Sequence, residues 1–487
     1  MAMKRLHINY NKTSDHFNKI NHVRTNLIYG NPEYIKKPWL SYIIPAYKRP
    51  ELLKQTLESV LKQQPVDFPW DIVVVDNETE EGNPTECLIR EIDNKRILYY
   101  RNRENIGPGG NYNRCIEVAR GTWVAMLHGD DLIMNDHLRL MGKYIRRYQK
   151  GFRKLAYISP RYIDFSRISD AKLDRNMWKK DEICYFGRLK RLTFLDIMMT
   201  GNTVGIPSFG TVMNREIMLK TGGFQVDLGI CEDVITPYKL SQKYRVYTTP
   251  KIMGFYRFER NTCLKREVIY EICEGMTDFR EYLFQKNIFT RLWAHVVRDE
   301  FFRNMTIYCS HISRYGTDKM RMSDFDYIYP ERKKNRGFMQ ELYFKLNTIY
   351  AILNGYTTFE SGVVRNVRML IPHIKKRGFD KIIIYGAGRA GEQVAKILQK
   401  DKELEILCLA VTDKKENEKK VRGIPVRQID ELTEYRTECF VIIAATIEEF
   451  YDDIDEKLEQ LNFRHRCALI KLFQKNKTER RRRFQKE

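Results

Sequence analysis

Apolar and polar positions follow two alternating periods through the first third of the chain. Ser41-Tyr-Ile-Ile-Pro45 is a short β-branched run, and over 51–63 the apolar residues Leu53, Leu57, Val60 and Leu61 fall at helical spacing. A strand followed by a helix is predicted. Asp71-Ile-Val-Val-Val-Asp76 reads as a second strand, 97–101 as a third and 123–127 as a fourth, with a helix over 111–119 before the last. This alternation predicts an α/β fold with a parallel sheet. Such sheets bind ligands at the carboxyl ends of their strands, where Tyr47, Asp76 and Asp130 project.

From about 264 to 376 the pattern turns long, aromatic-rich and helical, with mixed charge, as at 284–302 and 338–353. Lys381-Ile-Ile-Ile-Tyr385 then opens a new strand, a glycine-rich turn and helix follow, and strands at 405–411 and 440–444 complete a smaller α/β unit. The expected organisation is a polar arm (1–37), a first α/β domain (38–262), a helical extension (263–376), a second, smaller Rossmann-like α/β domain (377–472) and a basic tail (473–487). No internal repeat of fixed period is found.

The 487 residues are 43% hydrophobic, 12% aromatic and 30% charged, a globular profile rather than a disordered one. No apolar run approaches the ~18 residues of a membrane span, and 1–26 lacks the apolar core of a signal peptide. Ten cysteines without a Cys-x-x-Cys pair fit neither a zinc framework nor a disulfide scaffold, so a reduced cytoplasmic setting is expected. Lys plus Arg total 85 against 63 Asp plus Glu, a formal charge of +22 that calls for an anionic partner without choosing among nucleic acid, anionic lipid and phosphorylated substrate.

Candidate chemistry narrows that choice. Tyr47 can stack on a nucleobase and Asp76 can accept a hydrogen bond from a base N–H; each also reads as an ordinary strand-end aromatic or a helix-capping acid. His128-Gly-Asp130-Asp131 sets two adjacent carboxylates on a turn after an apolar strand. Hard oxygen ligands there suit Mg²⁺ or Mn²⁺ bridging to a diphosphate, the alternative being an Asx-type turn capping the next helix. Glu232-Asp233, downstream of Gly222-Gly-Phe224, offers a general base or an acidic first helical turn.

Taken in order, 41–49, Val73-Val-Val-Asp76-Asn77, Asn105-Ile-Gly107, 113–121, the Asp130-Asp131 turn, Gly222-Gly-Phe224 and Glu232-Asp233 resemble glycosyltransferase family 2 over about 38–262. The resemblance implies a GT-A fold, a nucleotide-diphospho-sugar donor, a divalent metal and inversion at the anomeric carbon. Carried over by position, Pro45, Ala46, Tyr47 and Asp76 cradle the nucleoside, and Asn113 and the loop 107–110, with Gly107 at its head, lie near the nucleotide. Asp130 and Asp131 form the metal motif, and Asp233 is the base that deprotonates the acceptor hydroxyl. Tyr256-Arg257, followed by Asn261-Thr262, resembles the family's mobile segment that closes over the diphosphate, with Arg257 neutralising phosphate charge. Where the family's turn often begins with Asp, this chain has His128.

Gly386-Ala-Gly388-Arg-Ala-Gly391 follows a strand and opens a helix, and Asp413 lies about 20 positions further on, the spacing of a ribose-binding acid. Gly423-Ile-Pro-Val426 adds a resemblance to Rossmann-like domains of bacterial polysaccharide-biosynthesis proteins. No Tyr-x-x-x-Lys pair supplies dehydrogenase chemistry in this module. It reads as an accessory module for a nucleotide or nucleotide sugar, or as a purely structural unit.

The expected function is an inverting transferase acting on a hydroxyl of a bacterial surface glycan or its lipid-linked precursor, with a UDP-sugar as the family-weighted donor. The basic 284–302 region and the run 480–483 are read either as contacts with an anionic membrane surface, giving peripheral attachment at its inner face, or as core and solvated tail. The competing readings are a silent nucleotide-sugar binder and a nucleic-acid-binding protein. The second lacks any helix-turn-helix, zinc or RNA-recognition signature, so no specific nucleic acid is expected.

Overall fold

The computed structural model describes residues 15–165, 189–196, 208–226, 232–257, 264–284, 288–313, 320–329, 359–413, 419–444 and 448–468, with short pieces between 338 and 350. They fall into two compact units, Met1–Tyr343 and Phe344–Glu487.

The first unit is built on a 10-stranded mixed sheet. Its centre is β2 (Leu40–Ala46) and β3 (Trp70–Asp76), parallel and in register from Leu40↔Trp70 to Ala46↔Asp76. Both strands are buried on both faces, which is why they read as near-continuous apolar runs. Alternate side chains feed separate layers. Tyr42, Ile44, Ile72 and Val74 pack with Leu53, Leu57 and Val60 of α1 (Pro50–Leu61) and with Leu138, Met141 and Ile145 of α4 (His137–Tyr148). Ile43, Val73 and Val75 pack on the other side with Cys115 and Ile116 of α3 (Gly107–Val118) and with Ile217 and Met218 of α5 (Arg215–Lys220). The two-residue period of a strand thus makes a three-layer sandwich.

On one side of this centre lies β4 (Ile97–Asn102), parallel to β3, with α2 (Pro84–Ile92) between them in sequence. Beyond it lies β1 (Thr25–Tyr29), antiparallel to β4. Part of the expected polar arm therefore belongs to the fold. Its register with β4 is fixed by side-chain bonds such as Thr25 Oγ1 donating to Asn102 Oδ1 at 2.6 Å, and His16 N–H donates to Gly222 O at 3.1 Å. These polar contacts have no signature in an apolar period.

On the other side β5 (Trp123–Met126) runs parallel to β2. It pairs antiparallel with β9 (Thr211–Asn214), and the sheet continues through β7 (Leu155–Phe165) to the long β10 (Arg245–Arg257). On the edge of β10 away from β7, β8 (Lys190–Arg191) pairs with Tyr247 and Thr248, and further along β6 (Leu132–Ile133) joins antiparallel through Phe255↔Leu132. That last pairing with β6 brings the end of β10 to the turn that follows β5.

Past the sheet, α6 (Glu232–Lys243) buries Ile235 and Tyr238 against Cys273, Met276 and Phe279 of α7 (Arg266–Phe284) and Phe302 and Met305 of α8 (Ile288–Ser313). The aromatic-rich stretch 284–302 is buried only in part. Val297, Phe301 and Phe302 are core, whereas Phe289 and Leu292 are exposed. No helix among the described residues is long and apolar enough to cross a membrane.

The second unit has a six-stranded sheet formed by β11 (Lys381–Tyr385), β12 (Glu405–Val411), β13 (Lys420–Val421), β14 (Ile424–Gln428), β15 (Cys439–Ile443) and β16 (Arg466–Ala468). The order β13-β14-β12-β11-β15-β16 puts the first strand in the middle, and all pairs but β13·β14 are parallel. This is the doubly wound order. Among the described residues it is flanked by the α-helices α9 (Phe359–Lys376), α10 (Arg389–Leu398) and α11 (Glu448–Gln460). The α/β class and the smaller second α/β unit expected from the sequence are what the structure has.

Candidate active site at the mouth of the first sheet

The chain leaves β2 through Pro45 and Ala46 into a strained turn. Lys48 (φ 46°) and Arg49 (φ 114°, ψ 52°) both have positive φ, and Pro50 then opens α1 with its ring preset for a first helical turn. The Arg49 conformation lies outside the small left-handed region open to residues with a Cβ, at a cost of about 1–3 kcal/mol. Tyr47 stands out of this turn 49% exposed, with Lys48 Nζ 5.3 Å from the centre of its ring. An exposed aromatic face at a strand end is what base stacking needs.

The His128–Asp131 turn passes close above. A Cβ on Gly129 would lie 3.2 Å from Pro45 O. Thr56 Oγ1 of α1 donates to Asp131 O at 2.8 Å, which ties the turn to the helix beneath it. Asp131 is fully buried: its Oδ1 accepts the Arg257 N–H at 2.8 Å, and its Oδ2 faces His128 Nδ1 at 3.2 Å. Burial pushes its carboxyl pKa up, against the opposing pull of His128. The imidazole is fixed on its other side by Ser208 Oγ, 3.0 Å from Nε2, and stacks parallel on Tyr112 at 5.6 Å.

Asp130 is placed differently. Its side chain is 16% exposed, and Arg49 Nη1 donates to its Oδ2 at 3.2 Å. An ion pair this open to solvent contributes about 0–1 kcal/mol, which does not offset the strain in the Arg49 backbone. His128, Asp130 and Asp131 each offer a ligand atom, all within 4.8 Å of one another. Carboxylate oxygens with one imidazole fit a hard divalent cation such as Mn²⁺ or Mg²⁺. Of the three, Asp130 can turn to a cation while the bonds holding the loop stay in place.

Several expected site residues are committed elsewhere. Arg257, expected to reach a diphosphate, is 5% exposed: besides its N–H bond to Asp131, its Nε donates to Asp130 O at 2.8 Å and its Nη2 to Gln55 Oε1 at 2.7 Å. The antiparallel pairing of β6 with β10 pins it behind the turn; residues 261–262, expected to move with it, lie outside the described residues. Asn113 is buried as a clasp on the 222–224 turn, its Oδ1 accepting Phe224 N–H and its Nδ2 donating to Phe224 O, both at 2.8 Å. Gly223 (φ +73°) is glycine for that reason, since a Cβ would come within 2.4 Å of Asn113 Oδ1.

Asp76 is wholly buried and accepts from Tyr99 Oη–H at 2.8 Å, Asn83 Nδ2 at 3.2 Å and Glu78 N–H at 2.9 Å. Burial raises its pKa to about 6. The N-cap of α2 is Asn83, so Asp76 is not a helix cap but holds the residue that is. Next to it Asn77 Nδ2 donates to Gly107 O at 3.0 Å, and Asn102 Nδ2 joins Asn77 Oδ1 (2.8 Å) to Asn111 Oδ1 (3.1 Å). Gly107, at φ +72° with open space where a Cβ would stand, heads α3 from this network. Sequence reasoning missed Asn83, Asn102 and Asn111 and the Arg49 contact. The available signal was a recurrence of asparagines around the strand ends: Asn77 follows β3, Asn102 ends β4, Asn83 caps α2 and Asn111 lies in α3.

Asp233 lies in the first turn of α6, but its side chain is outside the described residues, as are 227–231 before it. In the second unit Gly386 (φ +121°) makes the turn after β11, and a Cβ on Gly391 would fall 1.8 Å from Gly386 O, so α10 approaches the strand only because that residue is glycine. Gly388 caps α10 with nothing within 4 Å of a Cβ position, and the exposed Asp413 follows the carboxyl end of the neighbouring β12.

The chain is similar to known proteins in two stretches. Residues 41–219 match the model described as Glycosyl transferase family 2, and 378–467 match one described as C2185-like, N-terminal. Over 112 residues the chain is 34% identical to an uncharacterized glycosyltransferase of Methanocaldococcus jannaschii (22% of this chain, 38% of the relative). It is 35% identical over 112 residues to the succinoglycan biosynthesis protein ExoO of Rhizobium meliloti (23% and 31%). With the GalNAc(5)-diNAcBac-PP-undecaprenol beta-1,3-glucosyltransferase of Campylobacter jejuni it shares 30% over 119 residues (24% and 37%). The chain thus spans less than two fifths of the length of each of these relatives. A crystal structure of Staphylococcus aureus TarS 1–349 with UDP aligns over 63% of this chain and 91% of that one, at 17% identity and a TM-score of 0.36. Residues 41–219 thus carry a glycosyltransferase family 2 domain.

Proposed function

We propose that this protein is an inverting glycosyltransferase that moves a sugar from a nucleoside-diphosphate sugar, with UDP as its nucleotide, to a hydroxyl of a bacterial cell-surface glycan or its lipid-linked precursor. The observation that carries the reading is the meeting of two turns at the carboxyl end of the sheet: the Tyr47–Arg49 turn and the Asp130–Asp131 turn, joined by the Arg49–Asp130 bond at 3.2 Å. One presents an aromatic face and cations, the other a carboxylate. A nucleoside diphosphate together with a divalent cation has the complementary groups. The names of the relatives, one in succinoglycan biosynthesis and one acting on an undecaprenol-linked acceptor, support a glycan or lipid-linked glycan acceptor.

In this reading Tyr47 stacks on the base above Pro45 and Ala46, and Asp76 with the Gly107 loop fixes the wall beside it. Asp130 coordinates the divalent metal, Mn²⁺ or Mg²⁺, and Asp131 and Arg257 hold Asp130 in place. The metal, when bound, neutralises charge on the departing diphosphate. Asp233 takes the proton of the acceptor hydroxyl as it attacks the anomeric carbon. The second module is an accessory unit for a nucleotide or sugar nucleotide, a reading supported by the open space at Gly388 and the exposed Asp413 beyond the neighbouring strand.

The test is turnover of a panel of UDP-, GDP- and dTDP-sugars with Mn²⁺ and with EDTA, lipid-linked acceptors supplied. Metal-dependent consumption of one donor, lost in Asp130→Ala, is the expected result. Binding of a donor with no turnover on any acceptor contradicts it and favours a silent sugar-nucleotide binder.

A further inference from the structure

The Lys48–Arg49 turn holds a strained backbone for an ion pair too exposed to offset it, so the stability of the fold does not account for its shape. The strain has a directional effect. With both residues at positive φ the chain doubles back between β2 and α1, and the Arg49 guanidinium is delivered across the mouth to Asp130. Arg49 O also accepts the N–H groups of Leu52 and Leu53, so its backbone is the fixed start of α1 while its side chain, 41% exposed, is free to swing. Arg257 cannot do the same: it is buried, and its bonds to Asp131, Asp130 O and Gln55 hold the turn together.

A divalent cation on Asp130 and a guanidinium on Asp130 Oδ2 repel each other, so the two compete for one carboxylate. The charge that a displaced guanidinium matches best is a diphosphate, which it can engage through two parallel N–H···O bonds. From this geometry, and resting on the transferase reading, we infer that Arg49 is an exchangeable counter-ion: it neutralises Asp130 in the donor-free protein and passes to the donor diphosphate when metal and donor arrive. Arg49 thereby opposes binding of metal alone and favours metal together with a nucleoside diphosphate. It is a selectivity residue for the diphosphate.

Two equilibrium titrations of the full chain test this, neither depending on turnover. Mn²⁺ is titrated alone, and then the nucleoside diphosphate (UDP, GDP or dTDP) that binds the natural protein most tightly is titrated at saturating Mn²⁺, with its monophosphate as control. In Arg49→Ala, Mn²⁺ alone binds several-fold more tightly, while the diphosphate binds about tenfold or more weakly and its preference over the monophosphate shrinks. Arg49→Lys, a point charge without the fork, falls between. Unchanged binding of both ligands in Arg49→Ala overturns the inference and leaves the transferase reading standing; so does weakening of both, the mark of a merely structural turn. Failure of the natural protein to bind any of the three diphosphates with Mn²⁺ removes the transferase reading and this inference with it.

Discussion

Two of the strand–turn–helix units at the carboxyl ends of parallel strands are built by opposite means. In the first, β2 to α1, the turn has no glycine: Lys48 and Arg49 take up the unfavourable backbone, and the side chains of Tyr47, Arg49 and Asp130 stand at its mouth. In the second, β11 to α10, glycines make the turn: Gly386 supplies the positive φ, Gly391 lets the backbone close on itself, and Gly388 leaves open space. One turn invests in side chains and the other in bare backbone N–H groups. In the proposed reading the first arrangement binds a cation and discriminates charge; the second offers at most a cradle for an anion at a helix start. A glycine motif alone therefore says less about chemistry than a strained turn that keeps its side chains.

The largest break in the comparison is expected at Asp233, the proposed base. Asp233→Asn lowers the transfer rate by about 10²–10⁴-fold with donor binding retained, measured by turnover beside equilibrium titration of the donor. Asp130→Ala follows, lowering turnover by about 10²–10³-fold and weakening Mn²⁺-dependent donor binding as well, a loss that added metal restores poorly.

Asp76 sharpens the comparison through pH. Its carboxyl titrates near 6 in the fold and near 4 unfolded, so the folded state holds its proton more tightly. The stability this gives is present below about pH 4 and lost as pH rises through 6, amounting to about 3 kcal/mol. Asp76→Asn does not titrate, so from pH 4 to pH 7 its stability rises relative to the natural chain by about that amount in urea unfolding. A constant difference across the range sinks the buried-acid account of Asp76.

The smallest effects lie in the second module, where the pair Gly391→Ala and Gly388→Ala separates packing from binding. The first forces a Cβ against Gly386 O and destabilises that unit by about 1–3 kcal/mol in thermal unfolding. The second meets open space, changes stability by less than about 0.5 kcal/mol and still weakens any nucleotide held there. Equal destabilisation by both replacements contradicts the division of labour assigned to these glycines.

What was legible in the sequence follows from the range of each interaction. The strands around Tyr42 and Val74 and the helix carrying Leu53 and Leu57 are local periodicities, and they were readable. So were Asp130 and Asp131, because two adjacent acids after an apolar strand are a local signal. Arg257 and Asn113 were assigned to the donor, yet both clamp the fold, because their partners sit more than 100 residues away in sequence. The strand Thr25–Tyr29 was hidden in a polar arm because an edge strand with little buried surface carries no apolar pattern. The Arg49 strain is a backbone property that no residue type announces, since glycine would ordinarily stand at φ 114°.

The central claim is that Asp130, presented by a turn that Asp131 and Arg257 hold rigid, is the metal ligand of a nucleoside-diphosphate-sugar site. Anomalous scattering from crystals grown with Mn²⁺ and a nucleoside diphosphate tests it most directly. The account predicts a manganese peak about 2 Å from an Asp130 carboxylate oxygen, with the diphosphate on its far side and the Arg49 guanidinium moved from Asp130 to phosphate. A bound nucleotide with manganese away from Asp130, or with Arg49 still paired to it, contradicts the account.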